Sequence, residues 1–150
     1  MDHKTASDQY IRPLQASIRQ QVEDLYLRGQ GHCSQHRYPT ALRLFYQAWV
    51  QLPKPQTDFK IAGKILTAIG DAYFKMKKYK QALEALRSSL HCPSIGNNKS
   101  LTYLRLGQCL LEVGQISQAR VYLLKAHNSQ DNRLFSAEDP KYRLAIDDLV

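Results

Sequence analysis

Two groups of side chains in this sequence could do chemistry, and the first is a pair of histidines around a cysteine. His32, Cys33 and His36 stand at helical spacing, with the two histidines one turn apart, which could place metal ligands on one face. A fourth ligand would have to come from His91 or Cys92, far along the chain. A half-buried histidine and a packed thiol are the commoner state of such residues. We therefore expect no metal site.

The second group is a run of lysines that could attract an anion. Its members are Lys75, Lys77, Lys78 and Lys80. Residues 59–99 hold eight basic and two acidic groups, against seven and five in residues 1–58 and six and six in residues 100–150. Such a run is most often a solvated turn that keeps a protein soluble, and a docking patch for an acidic protein comes second. Nucleic acid is the least favoured partner, because no nucleic-acid motif accompanies the charge and Phe74 is the one interleaved aromatic residue expected to be free to stack on a base.

Motifs of the common enzyme classes do not occur in the sequence. It has no P-loop, no HExxH, no G-x-S-x-G and no dinucleotide-binding fingerprint. We therefore expect a protein that is not an enzyme and that needs no cofactor.

Composition and charge narrow the class of protein. The chain has 150 residues, of which 43% are hydrophobic and 23% are charged, as in a globular domain. No apolar run is long enough to span a bilayer, and the first ten residues do not form a secretory signal. Three cysteines at scattered positions argue against a disulfide framework, so we expect a cytoplasmic protein. A formal net charge of +8 favours an acidic partner.

The elements that would position these side chains form three internal repeats. The copies align at Gly29, Gly70 and Gly107. An alanine follows each glycine by twelve positions, a large apolar residue by sixteen and a small residue by nineteen. These positions are Ala41, Ala82 and Ala119, then Phe45, Leu86 and Leu123, then Ala48, Ser89 and Ala126. The glycines are 41 and 37 residues apart, and such self-similar copies along a chain predict a repeat architecture.

Each repeat predicts two helices packed as an antiparallel hairpin. Apolar residues at steps of three and four mark one helical face, and each copy holds two such stretches. Small residues let the two backbones approach closely, so we expect Gly70 and Ala82 to face each other. The expected N-caps of the helices after the loops are Asp58, Ser100 and Asp139. The sequence therefore predicts an all-α protein of about eight helices.

The repeat pattern resembles the tetratricopeptide repeat, whose signature runs W-x2-L-G-x2-Y, then A-x3-F, then P. The second copy is the best match, with Leu66, Gly70, Tyr73, Ala82 and Leu86 in register. The first copy has Arg28 and His32 where the family has Leu and Tyr, and the third lacks the closing proline. The resemblance implies a single domain over 1–150, with repeats at about 22–56, 59–97 and 100–131, an N-terminal helical extension and a C-terminal capping helix at about 140–149.

Family members receive a peptide in a concave groove that the first helices of the repeats line. The resemblance implies the following groove residues here: Tyr26, Gln30, Cys33, Lys64, Thr67, Asp71, Phe74, Leu101, Leu104, Gln108 and Leu111. Members that grip the C-terminal carboxylate of heat-shock chaperones need Lys and Asn at these sites. The matching sites here hold Tyr26 and Gln30, then Thr67 and Asp71, then Leu104 and Gln108, so this chain is not expected to be such a co-chaperone.

The resemblance implies a non-catalytic protein-protein interaction module that binds one protein partner. The size of the chain and the stretch FYQAWVQLPKPQTDF, followed by ILTAIGDAYF, are similar to small bacterial tetratricopeptide immunity proteins, which mask a toxin domain. A chaperone or scaffold for a secreted or assembled protein is the alternative within the same class. A nucleic-acid-binding helical repeat is the alternative outside it, and it would require basic groups along the groove rather than at one turn.

Overall fold

The structure is a computed structural model that describes residues 12–93, 99–129 and 133–150. Its helices are α1 (Ala16–Ser34), α2 (Tyr38–Gln51), α3 (Lys60–Lys75), α4 (Tyr79–Ser89), α5 (Ser100–Glu112), α6 (Ile116–His127) and α7 (Pro140–Leu144), with 3-10 helices at Gln56–Asp58 and Asp147–Leu149. The first six α-helices form three packed pairs that stack on one another, and the described ranges contain no β-strand. None of the described helices has the length and apolar character needed to cross a membrane. The predicted all-α stack of hairpins is confirmed.

The two ends of the stack differ from the prediction. The N-terminal helical extension is the first part of α1 itself, which begins at Ala16, and residues 1–11 lie outside the described part. The capping helix is shorter than the expected 140–149, because α7 ends at Leu144. The chain then turns and buries Ile146 against Leu104 in the core of the third pair. Burying the Ile146 side chain stabilises the fold more than extending α7 would.

One of the three expected N-caps is confirmed. The Asp139 side chain accepts a hydrogen bond from the backbone N–H of Lys141 at 3.0 Å, directly before Pro140 begins α7. The expectation for Asp58 is wrong, because this residue ends a 3-10 helix and Phe59 is the residue before α3. The expectation for Ser100 is wrong as well, since α5 already begins there.

A glycine in the first helix of each pair makes room for a large side chain of the second helix. A Cβ atom added at Gly70 would lie 2.5 Å from Cγ of Leu86, which is far inside contact distance. The same pairing joins Gly29 to Phe45 and Gly107 to Leu123. Gly70 was expected to face Ala82, and the three atoms nearest to the added Cβ belong to Leu86. Ala82 is buried in the cluster where α4 meets α5 and α6, so this alanine contributes to the stacking of one pair on the next.

The three hairpin turns share one backbone geometry. The middle residue of each turn has a left-handed φ, which is 59° at His36, 61° at Lys77 and 85° at Gly114. The backbone N–H of the residue after it donates to the carbonyl five residues earlier, at 2.9 Å in each turn. This is the Schellman arrangement, which closes the end of a helix. The lysines around Lys77 are therefore presented on an ordered turn.

A network of buried charges fastens the C-terminal segment, which we define as residues 133–150, to the stack. Arg105 on α5 is 5% exposed, and its Nε donates to Oδ1 of Asp71 on α3 at 2.6 Å. A second guanidinium nitrogen donates to Oε1 of Glu138 at 2.8 Å, and Gln108 donates to the other oxygen of that carboxylate at 2.8 Å. The network thus joins α3, α5 and the residues before α7.

Both partners of the pair Arg105–Glu138 stay charged at neutral pH. Burial by itself raises the pKa of Glu138, but the charge and hydrogen bonds of Arg105 outweigh burial, so the pKa is lower than usual. Burial by itself lowers the pKa of Arg105, and the two carboxylates of Asp71 and Glu138 reverse that effect. Because each charge is compensated where it is buried, the pair is favourable only as long as it is complete.

Tyr142 anchors the C-terminal segment at a second point. Its hydroxyl donates to Oε1 of Glu112 at the end of α5 at 2.8 Å, and Nζ of Lys141 lies 2.5 Å from the same oxygen. The Tyr142 ring packs beside Phe74 of α3, with ring centroids 6.3 Å apart. The segment therefore crosses the face of the stack from α5 to α3.

We expect Gly70→Ala to lower the free energy of unfolding by about 1–3 kcal/mol, because the added methyl group overlaps Leu86. Gly31→Ala is the matched control, since it adds the same methyl group to an exposed position of a helix with no atom within 4 Å. That control should raise stability by about 0.5–1 kcal/mol through helix propensity. Urea unfolding at neutral pH measures both. Equal effects of the two substitutions would contradict the assigned role of Gly70.

We expect Glu138→Gln to lower the free energy of unfolding by about 1–3 kcal/mol at neutral pH, because it leaves a buried guanidinium short of a charged acceptor. The pKa of Glu138 is lower in the folded chain than its value of about 4.3 in an unfolded one, so its contribution is complete above that pH and is lost as pH falls through the folded pKa. The difference in free energy of unfolding between the parent and the variant should therefore be constant near neutral pH and become smaller below about pH 4.

The control for this experiment is Glu23→Gln, which removes the same charge from an exposed position of α1. Its effect should stay within about 0.5 kcal/mol. A Glu138→Gln variant that unfolds at the same urea concentration as the control would show that the network does not hold the C-terminal segment in place.

Candidate protein-binding groove

The first helices of the three pairs line a cavity on one face of the stack. The cavity has a volume of about 470 Å³ and opens between α1, α3 and α5, and the end of α4 closes one side. We call it the groove pocket. Its walls are Tyr26, Gln30, Lys60, Gly63, Lys64, Thr67, Ala68, Asp71, Ser89, Cys92, Pro93, Lys99, Leu101 and Thr102.

Six of the predicted groove residues line this pocket. They are Tyr26, Gln30, Lys64, Thr67, Asp71 and Leu101. The family positions carried over from the sequence thus meet at one cavity, although they come from three different helices. Their contact with a partner stays a prediction.

The other five predicted residues lie outside the pocket. They are Cys33, Phe74, Leu104, Gln108 and Leu111. Leu104 and Gln108 are 1% and 0% exposed, so neither is open to a partner in this structure. The C-terminal segment covers this end of the groove, because Glu138 binds Gln108. Cys33 is half-buried against the core of the first two pairs. The groove is therefore open between α1, α3 and the first turn of α5, and it is covered further along α5 at Leu104 and Gln108.

The sequence prediction missed two basic residues of the pocket. Lys60 lies one turn before Lys64 on α3, and Lys99 directly precedes α5. The spacing of Lys60 and Lys64 was a usable signal, since residues four apart share a helical face. Lys99 offered no such signal, because its place depends on how α5 packs against the end of α4.

The charge of the groove pocket is positive. Within the described part of the chain, Lys60 and Lys64 make no hydrogen bond or ion pair. Lys99 donates one of its three protons to the carbonyl of Leu90 at 2.8 Å, which fixes the ammonium group and leaves two donors. Asp71 is the one acidic side chain in the described walls, and Arg105 already neutralises it at 2.6 Å.

Three hydroxyl groups of the wall are committed to one another. The Ser89 hydroxyl donates to the carbonyl of Gly63 at 3.1 Å, so the proton in its 2.8 Å bond with Thr67 comes from Thr67. Thr67 then accepts from Thr102 at 3.0 Å. This chain of hydrogen bonds ties α3 to α4 and α5. The lysines therefore keep free donors for a ligand, as do the Tyr26 hydroxyl and the second amide proton of Gln30.

The cysteines of this region are poorly suited to nucleophilic chemistry. Burial, with a smaller effect of Asp71, raises the pKa of Cys33 to about 11, and burial raises the pKa of Cys92 to about 11 despite the charge of Lys99. Burial also raises the pKa of Cys109 to about 12. The reactive form of cysteine is the thiolate, so these protonated thiols are weak nucleophiles at neutral pH.

The histidines near Cys33 do not form a metal site with it. His36 lies in the turn after α1, and its Nδ1 makes a 2.9 Å hydrogen bond with the hydroxyl of Tyr38. In the ranges that the structure describes, no three His, Cys, Asp or Glu side chains are arranged to hold a metal ion.

The four predicted lysines of the basic turn are all exposed where α3 meets α4. We keep the name basic turn for Lys75, Lys77, Lys78 and Lys80. The expectation that Phe74 beside them is free to stack on a base is wrong. Its ring packs against Tyr79 and Tyr142, and the guanidinium of Arg105 lies 4.8 Å from its centroid. The basic turn therefore lacks the free aromatic ring that nucleic-acid binding was expected to use.

Comparison with known proteins identifies the architecture. A model of the tetratricopeptide repeat matches residues 63–90, which take in most of α3 and α4. The first TPR domain of Spaghetti (RPAP3), solved with the HSP90 peptide SRMEEVD bound, superposes with a TM-score of 0.66 over 87% of this chain and 94% of that chain. The search of curated proteins found no match. At 16% identity the solved neighbour shows the fold alone, and the match of the tetratricopeptide repeat model is confined to the second helix pair.

Proposed function

We propose that the protein is a non-catalytic interaction module that binds one specific protein partner through the groove pocket. Tetratricopeptide repeats are typically interaction modules of this kind. The observation that carries the proposal is the convergence of three helices on one open cavity that three lysine side chains line. A partner segment can lie along these walls without displacing any part of the C-terminal segment.

The charge of the surface supports an acidic partner. Seven of the eight basic residues in 59–99 belong either to the groove pocket or to the basic turn. A partner with acidic groups would be attracted over a distance of about 10 Å at moderate salt. The solved neighbour holds the peptide SRMEEVD, but the heat-shock sites carried over to this chain hold Tyr26, Gln30 and Leu104, so we do not propose the same ligand.

We further propose that the protein works in the cytoplasm, where it masks a toxin domain as an immunity protein. Its three cysteines are free, which supports a reducing compartment. The immunity role is supported by the sequence resemblance of the stretch from Phe45 to Phe74. A toxin domain encoded beside this chain that binds it in a purified mixture would support that role, and purified neighbours that do not bind would count against it.

We expect capture from a lysate of the source cells to recover a protein that depends on the groove pocket. The immobilised parent is compared with Gln30→Ala/Leu101→Ala, which shortens two exposed side chains of the pocket. Loss of two contacts at an interface commonly weakens binding by about tenfold or more. Leu27→Ala on the same helix as Gln30 is the control, since Leu27 is exposed and does not line the pocket. If every protein bound by the parent is bound equally by the pocket variant, the proposed function is wrong.

We expect the basic turn to control the rate of association with that partner. Lys77→Glu/Lys78→Glu/Lys80→Glu should lower the association rate at low salt by about tenfold or more, with little change in the dissociation rate. Lys75 is left unchanged because its charge acts on Glu138. Leu101→Ala should instead raise the dissociation rate. Surface plasmon resonance at two salt concentrations measures both rates.

The control for the turn is Arg19→Glu/Arg43→Glu/Arg87→Glu, which makes the same change in net charge at exposed positions of three helices. This control should slow association less than the turn variant does. A turn variant that associates as fast as the parent at low salt would make the basic turn a solubility feature only.

A further inference from the structure

We infer that the C-terminal segment is an autoinhibitory strap. It opens as one unit while the three helix pairs stay folded, and in its closed state it withholds one face of α5 from a partner segment. That partner segment offers the anchors that the C-terminal segment itself uses, which are a carboxylate, an aromatic ring and an aliphatic side chain at intervals of four residues. The inference goes beyond the proposed function, because the covered face around Gln108 does not line the groove pocket.

The covered face holds a carboxylate site that the chain fills itself. The Gln108 amide donates to one oxygen of Glu138 at 2.8 Å, and Arg105 donates to the other oxygen at 2.8 Å. Arg105 also donates to Asp71 at 2.6 Å and to the carbonyl oxygen of Gln108 at 2.8 Å. These contacts aim both donors at one carboxylate in advance. A carboxylate of another chain is therefore bound by the same two donors once Glu138 has left.

Two further anchors continue the site beyond the carboxylate. The Tyr142 ring lies beside Phe74, with 6.3 Å between the ring centroids, and its hydroxyl donates to Glu112 at 2.8 Å. Ile146 is buried in one cluster with Leu104. These two anchors follow the carboxylate by four and eight positions along the chain. A partner segment needs the same spacing to replace the C-terminal segment.

The C-terminal segment is attached less firmly than the helix pairs. Its helix α7 has five residues, and a helix of that length is not stable alone in water. Three of its large apolar side chains, Leu144, Leu149 and Val150, are exposed and add little to the attachment. The two helices of each pair, by contrast, pack along their lengths. Opening therefore costs less free energy than unfolding a pair, and the segment loses its structure as a whole when its anchors break.

Closure and partner binding exclude each other, because both use Arg105 and Gln108. The apparent affinity of a partner is lower than its affinity for the open face, in proportion to the fraction of molecules that are open. A substitution that weakens the C-terminal segment without changing α5 raises that fraction. It therefore strengthens the binding of a partner.

The experiment uses the full chain and, as its probe, a fluorescein-labelled peptide of residues 133–150. Fluorescence anisotropy compares the parent with Glu138→Gln/Ile146→Ala, which removes two anchors and leaves α5 unchanged. We expect the variant to bind the probe at least tenfold more tightly than the parent does. The control Leu144→Ala/Leu149→Ala changes two exposed side chains of the same segment and should bind the probe as weakly as the parent.

A matched probe and an internal reporter complete the design. The same peptide with Glu138→Gln/Tyr142→Ala should bind the variant at least tenfold more weakly than the first probe does. Trp49 is the one tryptophan of the sequence and lies in α2, so its fluorescence reports on the stack and should be the same in the parent and the variant.

Hydrogen exchange of the unsubstituted chain tests the opening itself. The backbone N–H groups of Tyr142, Ile146 and Leu149 donate within the C-terminal segment. We expect them to share one opening constant and to exchange at least tenfold faster than protected N–H groups inside α3. This measurement needs no variant, so it decides the opening even if Ile146→Ala disturbs the fold.

Four results would overturn the inference. They are equal binding of the first probe by the parent and the variant, equal binding of the two probes by the variant, and exchange in the segment as slow as in α3. The fourth is a dimer of the parent in light scattering that Glu138→Gln/Ile146→Ala abolishes, which would assign the covered face to a second copy of the chain.

Discussion

The close approach of the two helices in each pair is the constraint on which the rest of the structure depends. At Gly70 the backbone of α3 comes so near α4 that the side chain of Leu86 fills the space that a Cβ would occupy. The same contact recurs in the other two pairs, so the pairs are alike in shape and can stack regularly. Regular stacking brings the first helices side by side on one face, and the groove pocket is the space that they leave between them.

The charge network around Arg105 divides the groove face into a part that is open and a part that the C-terminal segment covers. Arg105 is buried, so it needs acidic partners, and it takes one from α3 and one from the C-terminal segment. Arg105 neutralises the charge of Asp71, which lines the pocket. Its ion pair with Glu138 holds the C-terminal segment against the third repeat. The part of the groove that stays open is consequently the part where lysines have no acidic partner among the described residues.

The groove pocket and the basic turn share one charged stretch of sequence but serve different physical purposes. The lysines of the turn are exposed, so salt screens their charge, and their effect is on the rate of association. Lys60, Lys64 and Lys99 line a cavity, where contacts with a bound ligand would act on the rate of dissociation. Substitutions in the basic turn and in the groove pocket should therefore change the association rate and the dissociation rate of a partner separately.

The sequence by itself determined the three hairpins, their order, six side chains of the groove pocket and the exposed basic turn. The hairpins and the basic turn follow from spacing within one helix or one repeat, where geometry is local and recurs with the helical period. The groove side chains follow from the resemblance to the tetratricopeptide repeat. Only the tertiary structure decided that Gly70 meets Leu86, that Lys99 joins Lys60, and that Glu138 closes the groove over Gln108. Glu138 binds Arg105, which lies 33 positions away on α5. No local pattern encodes such a contact, because it depends on how far the stack twists and where the chain returns.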